Sequence, residues 1–226
     1  MTGMLLNSVQ QNLIYDQQQT PAGAMEPLVL LHGLFGDAGN WASRTGVYAR
    51  HTGTIAMDLR NHGSNEHVER MDYPSMADDV LTTLDKLGIS QCHLLGHSMG
   101  GKVAMHIATH HPERVTKLII VDIAPRSYPP HHRNLINAML SVPLENMTKR
   151  SEAESILATV EPDVSVRRFL MKSLVRHKGS DSETIRQSNT EQANEPVHSV
   201  GQYRWEFNLG AIADSYPALA LSLIHI

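Results

Sequence analysis

Gly96-His97-Ser98-Met99-Gly100 stands where an apolar run, Cys92–Leu95, gives way to an amphipathic stretch, Met99–His110. A serine flanked by glycines at a strand-to-helix turn is the arrangement that lifts a hydroxyl above a sheet, where it can attack an acyl carbon. The glycines have a steric purpose. The chain turns sharply, the serine is driven into a strained conformation, and a large side chain on either flank would strike neighbouring backbone. The following helix also brings its positive end beneath the hydroxyl. The bland alternative is an ordinary Gly-rich turn; a strand before it and a helix after it favour the chemical reading.

Acyl transfer also needs two N–H donors aimed at the oxygen that gains charge. One is the N–H of the residue after the nucleophile, Met99. The other comes from a loop after an earlier strand. His32-Gly33-Leu34-Phe35-Gly36 follows the apolar run Leu28–Leu31 and supplies Leu34, with Phe35 as the alternative. Gly33 lets that backbone approach closely. Removing one such donor typically costs about 3–4 kcal/mol of transition-state stabilisation.

The remaining histidines read less chemically. His32 is expected to order the loop that it opens, and His97 to point away from the exposed face of the turn. His110-His111 and His131-His132 are sequential pairs, which do not face one way on a helix. They read as surface or cap residues, and no metal site is expected. Asp58, with Arg60 and His62, reads as a loop-ordering cluster.

These residues need a scaffold. Leu28–Leu31, Thr54–Met57, Cys92–Leu95 and Leu118–Val121 are short apolar runs that read as strands buried on both faces. Tyr73–Leu87 and Met99–His110 lie between them with helical spacing, and Pro112 follows as a stop. Strand and helix in alternation predict an α/β fold with a mostly parallel sheet. Leu5–Tyr15 is expected to add one or two antiparallel edge strands. After Asp122 the pattern changes to Leu135–Leu140, Glu152–Val160 and Val164–Val175, three amphipathic helices with no strand between them. Residues 177–201 are polar and read as a loop, with one helical turn near Glu183–Arg186. The expected division is a core over 1–124, a helical cap insertion over 125–217, and a tail over 218–226 that is truncated or not native.

Composition narrows the function. The chain has 226 residues, 41% apolar and 19% charged, with a net charge of −4. That suits one globular protein and gives no electrostatic reason for a nucleic-acid partner. No run of 18 apolar residues predicts a membrane span. Met1–Gln11 lacks the pattern of a secretory leader. The single cysteine, Cys92, excludes an intrachain disulfide and fits a reducing, cytoplasmic setting.

The strings also carry a resemblance. Leu31–Gly36, Asp58-Leu59-Arg60-Asn61-His62-Gly63, Asp72–Asp79, Gly96–Lys102, Val121-Asp122-Ile123-Ala124-Pro125 and Arg204–Leu209 occur in an order similar to the α/β-hydrolase superfamily, and within it to the YbfF-type esterases of bacteria. The resemblance implies an α/β-hydrolase fold and ester hydrolysis through an acyl-enzyme, with no cofactor. It also implies that Asp122, at the end of the strand before the cap, is the acid that orients a catalytic histidine; the alternative for such an aspartate is a turn cap. The family's histidine lies near the C-terminus in a Gly-x-Gly-His-like loop. His225, the only histidine after Trp205, lacks that context. The chain is therefore expected to lack its last strands and its general base, and to be nearly inactive alone.

The expected substrate is a small acyl ester of short to medium chain. A thioester such as acyl-CoA is the enzymatic rival, and a non-catalytic ligand-binding member of the fold is the rival from another class. Met139, Leu140, Ile156, Leu157, Phe169, Leu170 and Leu174 either line an acyl pocket or simply pack the cap.

Overall fold

The computed structural model of the protein describes residues 3–11, 26–176 and 203–222. The polar loop 177–201, the turn near Glu183–Arg186 and His225 lie outside the described residues. The described chain falls into two compact units, one from Met1–Arg133 with Phe207–Ile226 and one from Asn134–Glu206.

The first unit is built on a five-stranded sheet. Its strands are β1 (Ser8–Gln11), β2 (Leu28–Leu31), β3 (Thr54–Met57), β4 (Cys92–His97) and β5 (Val115–Val121), in the order β1-β3-β2-β4-β5. β1 runs antiparallel to β3, and the other neighbours are parallel. β2 and β3 are buried along their whole length, as continuous apolar runs in a parallel sheet should be. Helices α1 (Ala42–Tyr48), α2 (Tyr73–Lys86) and α3 (Met99–His110) connect the strands.

Local chemistry sets the ends of α2. Asp72 accepts a hydrogen bond from Ser75 N at 2.8 Å, and Pro74 lies in the first turn. At the far end Gly88 takes φ 73° while Ile89 N donates to Leu84 O at 2.8 Å. Met76, Val80 and Leu84 recur at helical spacing and are buried.

One strand departs from expectation. Leu118, Ile119 and Val121 of β5 are exposed, although the run reads as buried on both faces. Among the described residues β5 is the edge of the sheet, paired with β4 on one side only. An apolar run shows that a strand is suited to burial; it does not supply the neighbour that buries it.

The second unit carries α4 (Arg133–Leu140), α5 (Arg150–Leu157) and α6 (Val164–Lys172), with two short antiparallel strands, β6 (Leu174–Arg176) and β7 (Tyr203–Trp205). The expected helix Val164–Val175 thus stops three residues early, and its last residues pair with a strand. Arg150 Nη1 donates to Leu174 O at 2.5 Å, and Glu206 N donates to Ser173 O at 2.8 Å, which fixes that change of direction. Arg167 pairs with Glu154 at 2.7 Å between α6 and α5. Met139, Leu157, Leu170 and Leu174 are buried, and Leu140 is exposed.

The unit boundaries also differ from the expected 125–217. Tyr128 N donates to Ala220 O at 2.9 Å, His132 N to Tyr216 Oη at 3.0 Å, and Arg133 Nη1 to Ala213 O at 3.1 Å. These bonds tie 125–133 and 207–222 together within the first unit. Ala218–Leu221 is the last turn of helix α7 (Leu209–Leu221), which continues through Pro217 rather than stopping there.

Candidate active site

The turn between β4 and α3 places Ser98 in a backbone conformation that L-residues seldom adopt, φ 51° and ψ −118°. Such strain persists only where the surroundings impose it. Here Ser98 N donates to Val121 O at 3.0 Å and Gly100 N donates to His32 O at 3.1 Å. The flanking glycines are required by space. A Cβ on Gly96 would overlap Gly100 O, and one on Gly100 would lie 2.5 Å from His32 O. The turn is therefore clamped between β2 and β5.

The loop after β2 is held from below by two buried histidines. His32 Nδ1 is 2.8 Å from Gly33 O, and its Nε2 accepts from Leu59 N at 2.8 Å. His62 Nδ1 is 2.8 Å from Arg60 O, and its Nε2 accepts from Phe35 N at 3.1 Å. Each ring nitrogen that faces a carbonyl must carry the proton, so both rings are neutral Nδ1–H tautomers. Burial favours this state: it lowers the pKa of His32, and it lowers that of His62 to about 3. The rings lie 5.1 Å apart.

This arrangement separates the two candidate donors of the loop. The N–H of Phe35 is committed to His62. The N–H of Leu34 has no hydrogen bond among the described residues, nor has that of Met99, which as the first residue of α3 has no acceptor within the helix. Phe35 takes φ 64° and packs its ring 5.2 Å from that of Phe207. Asp58 supports the loop as expected: it accepts from Ala38 N at 2.7 Å and Ser64 N at 3.0 Å. Arg60 does not join it. Its guanidinium grips Asp79 of α2 with two bonds of 2.7 Å.

On the other side of Ser98, Asp122 ends β5 with φ 57°. Its carboxylate is 85% exposed and stands 3.8 Å from His97 Nε2. A Cβ on Gly33 would lie 2.9 Å from His97 Nδ1 and 3.3 Å from the Ser98 Cβ, so the His97 ring lies against the loop after β2. Ser98 Oγ itself makes no hydrogen bond among the described residues.

Ser98, Leu34, Met99 and Asp122 line one cavity of about 260 Å³. Its wall adds residues that the sequence reading passed over: Tyr73, Lys102, Tyr128 and Tyr216. Lys102 had a signal, since it stands four residues after Ser98 on a helix and shares its face. His131 and His132, read as surface residues, are exposed and also line this cavity. The three tyrosines had no such signal, because they arrive from separate parts of the chain.

Comparison with known proteins agrees with this geometry. The chain is 42% identical over 162 residues to the sn-1-specific diacylglycerol lipase ABHD11 of Xenopus tropicalis, covering 68% of this chain and 51% of that protein. It is 33% identical over 196 residues to Esterase YbfF of Escherichia coli K12, covering 84% of this chain and 65% of that protein. It therefore spans about half to two thirds of the length of these relatives. Among solved structures, a marine microorganism esterase superposes with a TM-score of 0.80 at 29% identity, over 99% of this chain and 76% of that one. The sequence profile of the alpha/beta hydrolase fold matches residues 26–217, a span that holds the strained serine, the loop beside it and Asp122, and the chain belongs to that family.

Proposed function

We propose that this chain is the nucleophile-bearing part of a serine hydrolase that cleaves carboxylic esters through an acyl-enzyme. The observation that carries the reading is Ser98: a strained serine, anchored on both sides, in a cavity with two uncommitted N–H groups. In this mechanism Ser98 Oγ attacks the ester carbonyl, and the N–H groups of Leu34 and Met99 receive the developing oxyanion. Asp122 orients the histidine that accepts the serine proton, passes it to the leaving alcohol, and then activates water. Ser98 Oγ lacks a histidine partner among the described residues, and the base is proposed to be a histidine outside these 226 residues, in the part of its relatives' length that the chain does not span. The 226-residue chain alone is then expected to be nearly inactive, because loss of a triad histidine costs on the order of 10⁶ in turnover in subtilisin.

Short- to medium-chain acyl esters are the proposed substrates, supported by the size of the cavity and by the esterase and lipase names of the relatives. A cytoplasmic setting fits the single cysteine, which is buried and whose thiol burial pushes up to about 12. No helix among the described residues is long and apolar enough to cross a membrane.

The test uses the product of the complete reading frame that encodes this chain. A fluorophosphonate probe should label that product at Ser98, and it should turn over p-nitrophenyl butyrate. Ser98→Ala should abolish both. A product that is folded yet neither labelled nor active would support a binding role in place of catalysis.

A further inference from the structure

Lys102 lies one turn along α3 from Ser98, its backbone N–H donating to Ser98 O at 3.2 Å. The residue is only 2% exposed, yet it lines the cavity that holds Ser98. Its Nζ donates to Ser222 O at 2.7 Å and stands 5.7 Å and 5.4 Å from the ring centroids of Tyr73 and Tyr128. No carboxylate among the described residues lies within ion-pair distance of it. An ammonium has three donors, and a single carbonyl occupies one of them. Aromatic faces stabilise a cation, but they do not replace a counter-charge.

A buried charge without a partner is costly, and an apolar side chain of the same length would fill the space without that cost. Burial accordingly lowers the pKa of the ammonium, partly opposed by Tyr128. Packing alone gives no reason for a lysine here. Its position one turn from Ser98, with two donors uncommitted among the described residues and two tyrosines near it, suits recognition of a negative group on the molecule that Ser98 attacks.

We infer that Lys102 is a specificity-determining residue, and that the preferred esters are half-esters of short dicarboxylic acids whose free carboxylate is bound by the Lys102 ammonium. This rests on the ester-hydrolase reading for its choice of substrate, but it concerns binding and is testable without turnover. A carboxylate placed there removes the charge imbalance and occupies the remaining donors. A neutral ester of equal length leaves both unsatisfied.

The experiment measures binding of monomethyl adipate and dimethyl adipate to the 226-residue chain at neutral pH by protein NMR titration. The half-ester should bind at least about tenfold more tightly, the difference expected of one charge-assisted hydrogen bond. Lys102→Met should bring the ratio close to one, and Lys102→Arg should retain most of it. Nuclear Overhauser contacts should connect the adipate methylenes to the Tyr73 and Tyr128 rings. Equal binding of the two ligands to the unaltered chain overturns the inference, whether or not the variants fold. So does a preference that persists in Lys102→Met, or contacts to rings elsewhere. If the preference is found but no form of the protein turns esters over, the hydrolase reading fails and the anion site stands. If esters are turned over without the preference, the reverse holds.

Discussion

On one side of Ser98, the segment His32–Ala38 is held by two buried histidines and a buried aspartate, through hydrogen bonds of 2.7–3.1 Å. On the other side, Asp122 ends an edge strand whose apolar residues are exposed, and its carboxylate is 85% exposed. Both walls touch the same serine, since Gly100 N bonds to the first and Ser98 N to the second. The difference follows from position in the sheet. β2 has neighbours on both sides, so the loop after it is enclosed and each buried polar atom needs a partner. Among the described residues β5 has one neighbour, so water can reach what the loop after it presents. In the first wall the candidate oxyanion donor sits among the residues that hold the loop. In the second the candidate acid stands apart from them.

The largest expected effect tests that separation. Asp122→Asn in the product of the complete reading frame should reduce ester turnover by about 10⁴, as in other triads where the histidine loses its orienting carboxylate. The same change should leave the stability of this chain within about 0.5 kcal/mol, because the group is exposed. Steady-state kinetics and chemical denaturation measure the two halves, and a large loss of stability would break the comparison.

Gly100→Ala probes the first wall. Its new Cβ would lie 2.5 Å from His32 O and 2.6 Å from Leu31 O, and backbone at that distance cannot yield cheaply. A loss of about 3 kcal/mol is expected from urea unfolding. A variant as stable as the parent would mean that the two strands are not clamped as described.

Acid should act on the same wall. The folded pKa of His62 lies below its ordinary value of 6.5, at about 3. Between those values the unfolded chain binds a proton that the folded chain refuses, so stability rises with pH there. The contribution is complete above about pH 6.5 and falls by about 1.4 kcal/mol for each unit of acidification below it, toward pH 3. His32 shifts in the same direction. His62→Gln should flatten the dependence of unfolding free energy on pH between 6.5 and 4, whatever it costs at pH 7. An unchanged slope would show that His62 does not hold its neutral form in the fold.

The smallest effect concerns two residues paired in register, Leu94 of β4 and Leu118 of β5. Leu94 is fully buried and Leu118 is exposed. Leu94→Ala should cost about 3 kcal/mol in this chain and Leu118→Ala less than about 1 kcal/mol. Similar losses at both positions would place β5 under cover and remove the contrast between the two walls.

Part of this site is legible in local sequence, because those parts are local. The steric demand at Gly96 and the caps of α2 act within a few residues, whereas the demand at Gly100 comes from Leu31 and His32 across the sheet. A buried parallel strand also marks itself by a continuous apolar run, so β2, β3 and β4 are readable one at a time. Lys102 was readable in principle from its helical distance to Ser98. The exposure of β5 was not, since Leu118-Ile119-Ile120-Val121 is as apolar as the runs that are enclosed.

By itself, the sequence singled out Ser98 as the candidate nucleophile, the α/β alternation around it, and the pair of loops from which oxyanion donors could come. Only the tertiary structure separates Leu34 from Phe35 as candidate donors, because His62, 27 residues beyond Phe35, accepts the N–H of Phe35. It also decided that Arg60 serves Asp79 rather than Asp58, and that tyrosines from α2 and the segment after β5 flank a buried ammonium. The physical reason is the same in each case. A backbone conformation is chosen by neighbours in the chain, whereas a buried donor or charge is assigned by whichever groups the fold brings within hydrogen-bonding distance.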